Sequence, residues 1–132
     1  MHRFETRVYY EDTDLAGIVY YANYLRYIER ARTEYVRGYG IDQTALRDEE
    51  GIGFAVRRVE ADYLAPARFD DALVITTRPT VVKGARLTLQ QQVWRDETLC
   101  FDSEVTLAAL HLDGSPARLP ADLRRSLEAQ LL

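Results

Sequence analysis

Cysteine is nearly missing from this 132-residue chain. Cys100 stands alone, so no intramolecular disulfide can form and no zinc site can be built from cysteines. Its place in "TLCFD" suits a buried strand residue acting as a small hydrophobe. Histidine is scarce too, with only His2 and His111. A Ser-His-Asp or Cys-His arrangement needs one of them, yet one lies near the terminus, the other ends a strand-like run, and no G-x-S-x-G accompanies them. Neither G-x-x-x-x-G-K-[ST] nor G-x-G-x-x-G occurs, which removes phosphate loops of those types. No apolar run is long enough to span a bilayer, and "MHRFETRVYYED" has no signal-peptide core. The expectation is a cytoplasmic protein without a transmembrane segment. Long blocks of one charge are absent, and a net charge of −4 argues against nucleic acid, which needs a concentrated basic face.

What is present reads as an ordinary soluble globular chain, 47% hydrophobic and 29% charged, long enough to bury a core as one domain over residues 1–132. "RFETRVYY" alternates, with Phe4, Thr6, Val8 and Tyr10 on one side, and predicts a first strand. From about Tyr20 the period changes: Tyr21, Tyr24, Leu25, Ile28, Ala31, Tyr35 and Tyr39 make one apolar helix face, opposite Arg26, Arg30, Thr33 and Arg37. Gly38 and Gly40 supply the stop, and "DQTALRDEEG" suits a short helical turn. Four β-rich runs follow: "GFAVRRVEADYLA", "DALVITTRPTVVKG", "ARLTLQQQVWRD" and "TLCFDSEVTLAALHLD". Their short links predict antiparallel neighbours. Pro79 cannot donate to a ladder and belongs at an edge or bulge. Pro120 opens a last helix with Leu123, Leu127 and Leu131 on one face. The sum is an α+β fold in which one long helix packs on an antiparallel sheet. Trp94, Val59 and Leu110 are candidates for a second apolar sheet face, which would meet another layer or subunit.

Chemistry concentrates in "EDTDLAG", Glu11 to Gly17. Asp12-x-Asp14 begins like a calcium loop, but Ala16 fills the third ligand position and Asn23 stands where a closing glutamate is required. A magnesium-dependent phosphotransferase carries such a pair after a strand of a parallel α/β sheet, whereas this chain reads as antiparallel. The remaining reading is a metal-free carboxylate at the mouth of a helix. A helix N-terminus offers free N–H groups and a positive dipole end, which stabilise charge developing on a carbonyl oxygen. A nearby carboxylate can attack that carbonyl or activate water. Gly17 allows close approach of backbone and substrate. The bland alternative is that the acids only cap the helix, and the residues alone leave both open.

The run Tyr10 to Tyr24, "YEDTDLAGIVYYANY", resembles the signature of the 4-hydroxybenzoyl-CoA thioesterase family. It is most similar to the branch of Tol-Pal system-associated acyl-CoA thioesterases, in which "ERART" (Glu29 to Thr33) also follows. A second family element stands at Tyr63 to Asp71, "YLAPARFDD", and the likeness extends to about residue 112. It implies the hotdog fold, a long central helix wrapped by a five-stranded antiparallel sheet, and homodimers or homotetramers with substrate at the dimer interface. It implies hydrolysis of an acyl-CoA thioester to free acid and coenzyme A, with no metal and no cofactor beyond the coenzyme A of the substrate. Asp14 takes the role of nucleophile or general base, and the Tyr21 backbone amide that of donor to the thioester oxygen. Asp12 shapes the loop.

The sequence departs from that branch at Tyr21, where histidine is usual. Tyrosine, with a pKa near 10, is a poorer base at neutral pH, so mechanisms that need only Asp14 and the amide carry over. Candidate partners for the coenzyme A phosphates are Arg57, Arg58, Lys83 and Arg86, since arginine suits bidentate phosphate contact. A hotdog dehydratase would want a histidine paired with an acid, which "DTDLAG" lacks. The alternative outside catalysis is an acyl-CoA-binding or scaffold hotdog protein.

Overall fold

The computed structural model describes residues 1–131. Five strands, β1 (His2–Arg7), β2 (Ile52–Tyr63), β3 (Ala72–Lys83), β4 (Arg86–Arg95) and β5 (Thr98–His111), form one antiparallel sheet in the order β1-β3-β4-β5-β2. The helix α1 (Asn23–Arg37) lies against one face, followed by the single turn α2 (Gln43–Ala45), which continues as a wider turn through Glu50. The closing helix α3 (Ala121–Glu128) buries Leu123 and Leu127, while Leu131 lies beyond its end and is half-buried. No helix among the described residues is long and apolar enough to cross a membrane.

All four later strands match the β-rich runs, and the tight links after β3 and β4 make the expected hairpins. The expectation fails for β2 and β3: the longer link 64–71 lets the chain cross over, so β2 pairs with β5 and not with β3. Pro79 sits at a register shift between Pro79 and Val81, and the pairing of β1 with β3 stops at Thr77. The ring therefore takes no donor from either ladder. Cys100 is buried, as expected for a small hydrophobe.

The helix face differs from the expected one. α1 starts at Asn23, so Tyr21 lies in the turn before it and is 62% exposed. Leu25 is also exposed, and Tyr27 and Arg32 take its place among the buried residues with Tyr24, Ile28, Ala31, Tyr35 and Val36. Counting helical steps from Tyr21, a non-helical residue, rotated the expected stripe. Arg32 is tolerated inside because its guanidinium donates to Gln91 Oε1 at 2.9 Å and pairs with Glu29. Gln91 Nε2 in turn donates to Ile28 O and Thr77 Oγ1 at 2.9 and 3.0 Å. The result is a satisfied polar bolt between helix and sheet.

Val59 also stands on another face than expected. It pairs with Val105, which is buried in the core, and cross-strand partners share a face. Val59 thus points to the helix side, where α1 does not reach it. Trp94 and Leu110 do lie on the outer face, half-buried.

Candidate active site

The segment between β1 and α1 is a small hairpin of its own. Tyr10–Asp12 forms a 3-10 turn. The chain then doubles back, with Tyr20 N donating to Asp12 O, Thr13 bridging Val19, and Asp14 N donating to Ile18 O at 2.9 Å. Gly17 N donates back to Asp14 O, and Gly17 has φ of +79°. This is the pattern of a tight turn closed by a glycine in the left-handed region, which other residues enter only with strain. Within the chain itself the requirement for glycine is conformational, since a side chain there would meet no protein atom within 4 Å.

The two aspartates do different work, and neither caps α1. Asp12 Oδ2 accepts from Tyr9 N at 2.9 Å, closing the 3-10 turn, and Asp12 O also accepts from Asn23 Nδ2 at 2.8 Å. Asp14 Oδ1 accepts from Ala16 N at 2.9 Å within its own turn, leaving the second oxygen of an exposed carboxylate unengaged among the described residues. The N-cap of α1 is Ala22, with no side-chain cap and no acid in the first turn. The positive end of the helix is left open, contrary to the capping reading.

Asp14 and Tyr21 line one cleft of about 480 Å³, with Ile18, Tyr20, Tyr24 and Tyr63 among its other walls. The Tyr20 carbonyl accepts from Asn23 N at 2.8 Å. Across a trans peptide the Tyr21 N–H points the opposite way, away from the helix, and it donates to no acceptor among the described residues. Tyr63 Oη donates to Tyr21 O at 3.0 Å and so holds the next peptide too.

The back wall is the segment 64–71 of the second motif. Leu64 N and Ala65 N both donate to Cys100 O, Ala67 N donates to Tyr24 Oη at 3.1 Å, and Val19 N donates to Ala67 O at 2.8 Å. Arg95 reaches Pro66 O and pairs with Asp71 at 3.6 Å. Burial raises the Tyr24 and Tyr63 phenols above their ordinary value. A hydrogen bond with Tyr21 leads the upward shift of Tyr20. These rings are neutral walls at physiological pH.

Asp14 and Tyr21 are thus brought to one cleft, and Gly17 closes the turn that carries Asp14 without lining it. Arg57 and Arg58 stand on exposed β2, Arg58 paired with Glu60. Lys83 and Arg86 face each other at the far hairpin of β3 and β4. β3 begins beside the cleft and is twelve residues long, at about 3.3 Å per residue, so these two lie at the opposite end of the sheet. Reasoning from sequence missed Tyr63, Tyr24 and Arg95, whose contacts span dozens of residues. Only the motif "YLAPARFDD" hinted at that wall.

The thioesterase superfamily model matches residues 16–101. The match begins just beyond Asp14, so the carboxylate itself is not covered. The chain is 38% identical over 122 residues to the acyl-CoA thioesterase YbgC of Haemophilus influenzae, covering 92% of this chain and 90% of the relative. It is 41% identical over 125 residues to the acyl-CoA thioester hydrolase YbgC of Escherichia coli O6:H1, covering 93% and 92%. A probable thioesterase from Bartonella henselae superposes with a TM-score of 0.87 at 38% identity, over 90% of this chain and 98% of that one. A 4-hydroxybenzoyl CoA thioesterase mutant solved with 4-hydroxybenzoyl CoA superposes with a TM-score of 0.89 at 24% identity, over 95% and 96%, a likeness of fold. This chain belongs to the thioesterase superfamily and is a thioester hydrolase of the hotdog fold.

Proposed function

We propose that this protein, acting as one domain over residues 1–132, hydrolyses an acyl-CoA thioester to the free acid and coenzyme A. The observation that carries this reading is a free carboxylate oxygen and an unengaged backbone N–H at one cleft, beside an uncapped helix N-terminus. The Tyr21 amide takes the thioester oxygen as negative charge develops on it, and the dipole of α1 strengthens that donor. Asp14 either attacks the carbonyl carbon, forming an anhydride that water then opens, or removes a proton from attacking water. In both routes a C–O bond replaces the C–S bond and the departing thiolate takes up a proton. The two YbgC relatives, named for acyl-CoA thioester hydrolysis, support the choice of substrate class.

No step here needs a metal ion. The coenzyme A phosphates have four basic candidates, Arg57, Arg58, Lys83 and Arg86; Arg58 pairs with Thr106 and Arg86 with Ala108, so all four lie along the sheet from Tyr63 rather than in the cleft. We place the enzyme in the cytoplasm. We take it to be a homodimer or homotetramer, because the exposed edge and helix-side face of β2 offer room for a second copy.

Asp14→Asn tests the reading. Turnover should fall by about 10²–10⁴, the range for loss of a general base, while acyl-CoA affinity and melting temperature stay near wild type. In the same assay Tyr21→Phe should stay within a few-fold of wild type, since only its amide is used. Near-normal thiol release from Asp14→Asn ends the assignment. Tight binding without release by the wild type would instead favour the acyl-CoA-binding scaffold.

A further inference from the structure

Tyr27 is one of the most buried side chains in the molecule, at 1% exposure, and its hydroxyl has no hydrogen-bond partner of standard geometry. It lies one turn after Asn23 on the same face of α1, so both side chains rise toward the same piece of chain. Asn23 ends on Asp12 O. The Tyr27 phenol is pushed well above its ordinary value, first by burial and then by the Asp12 carboxylate beside it. Asp12 is therefore the acceptor within reach. A buried hydroxyl left unpaired is costly, whereas a slight side-chain rotation is cheap.

We infer that Tyr27 is a positioning residue for hydrolysis: its hydroxyl donates to the Asp12 carboxylate and, together with Asn23, clamps the turn that sets Asp14 against the Tyr21 amide. The inference rests on the catalytic reading of Asp14. Asp12 joins the two halves of the site. Its carboxylate closes the turn at Tyr9, its carbonyl takes Tyr20 N from the returning strand, and Asn23 ties that carbonyl to the first residue of α1. A second tie from Tyr27 fixes the carboxylate end as well. The hairpin can then neither tilt nor slide along the helix mouth. Tyr27 touches no substrate, and nothing is transferred through it. Its effect is geometric, where a misplacement of about 1 Å can cost on the order of a hundredfold in rate.

The test compares Tyr27→Phe, Asp12→Asn and their double variant with wild type. The substrate is whichever of acetyl-, butyryl-, dodecanoyl- and benzoyl-CoA the wild type turns over fastest. Phenylalanine keeps the ring and removes only the donor. Asparagine keeps the shape of Asp12 but replaces one of its two acceptor oxygens with an N–H donor and removes the charge that strengthens both bonds. Each single variant should lose about tenfold or more in kcat, with KM within about twofold, and the double should lose no more than the worse single. Wild-type kcat in Tyr27→Phe, or losses that multiply in the double, overturns the inference. So does a lowered melting temperature with unchanged kcat per folded molecule, the mark of a merely structural tyrosine. If Tyr27→Phe does not fold, a kcat-only loss in Asp12→Asn supports the clamp and an unchanged kcat overturns it. Asp14→Asn runs alongside. Inactive Asp14→Asn with normal Tyr27→Phe removes the clamp alone, whereas active Asp14→Asn removes the catalytic reading and the clamp with it.

Discussion

On β4 the side chains turned toward α1, Leu87, Leu89, Gln91 and Val93, are all buried. On β2 the side chains of the same sheet face, Val56, Val59 and Tyr63, remain 40% to 49% exposed. Both strands alternate in the manner of a half-buried sheet, so the difference lies in the cover. α1 packs over β1, β3 and β4 and meets β2 mainly at its end, where Tyr24 packs edge-on against Tyr63. The outward side chains of β2 include Arg58, Glu60 and Asp62, the charges with which edge strands resist indiscriminate pairing. The apolar set facing inward has no such defence. The cleft sits on the border between the two, with Tyr24 from the covered side and Tyr63 from the open one.

Mutations can break this contrast, and the largest effect belongs to the covered half. Leu89→Ala should cost about 2–5 kcal/mol in denaturant unfolding, because it opens a cavity under α1. A cost under about 1 kcal/mol would mean the core there is loosely packed. The next effect is on pH dependence. Burial, then its neighbour Tyr39, raises the Tyr35 phenol far above its unfolded value of 10.0. The folded state holds that proton when the unfolded chain has lost it, so stability is complete below pH 10 and falls as pH rises beyond. The slope is about 1.4 kcal/mol per pH unit for each such phenol. Tyr35→Phe should flatten the alkaline slope of chemical unfolding visibly, and half-exposed Tyr63→Phe should barely change it. Equal effects would erase the distinction between the two regions. The smallest effect is on the open strand. Val59→Asp should change the stability of a dilute monomer by no more than about 0.5 kcal/mol, yet reduce self-association in light scattering. Unaltered mass would show that the helix-side face of β2 is not where copies meet.

The strands, their order of appearance and the one long helix were legible because alternation and tight turns are local signals. The hairpin around Asp14 was legible as a place for chemistry, since acids, a glycine and a helix start stood together. Its internal arrangement was not. The left-handed turn at Gly17 is set by how Asp14 and Ile18 pair across it, which no local pattern announces. Arg32, absent from the expected apolar face, is buried because its partner Gln91 lies 59 residues away. The orientation of the Tyr21 peptides depends on Asn23 and on Tyr63, 42 residues on. Periodicity cannot register such pairings, nor could it show that Val59, apolar and alternating like its neighbours, lies beyond the reach of the helix.

The wall of the cleft also dictates an order of events during synthesis. The hairpin that carries Asp14 leaves the ribosome early. It cannot be held until β1 has paired with β3, His2 opposite Thr77, and Ala67 has reached Val19 and Tyr24. The segment 64–71 is in turn anchored to Cys100 and Arg95. Closing such long loops is slow beside forming the β3–β4 and β4–β5 hairpins. A nascent chain therefore carries its candidate catalytic aspartate through most of its translation without a site around it. Hydrolytic competence arrives only after about three-quarters of the chain has emerged, when Arg95 and Cys100 can anchor the segment that walls the cleft.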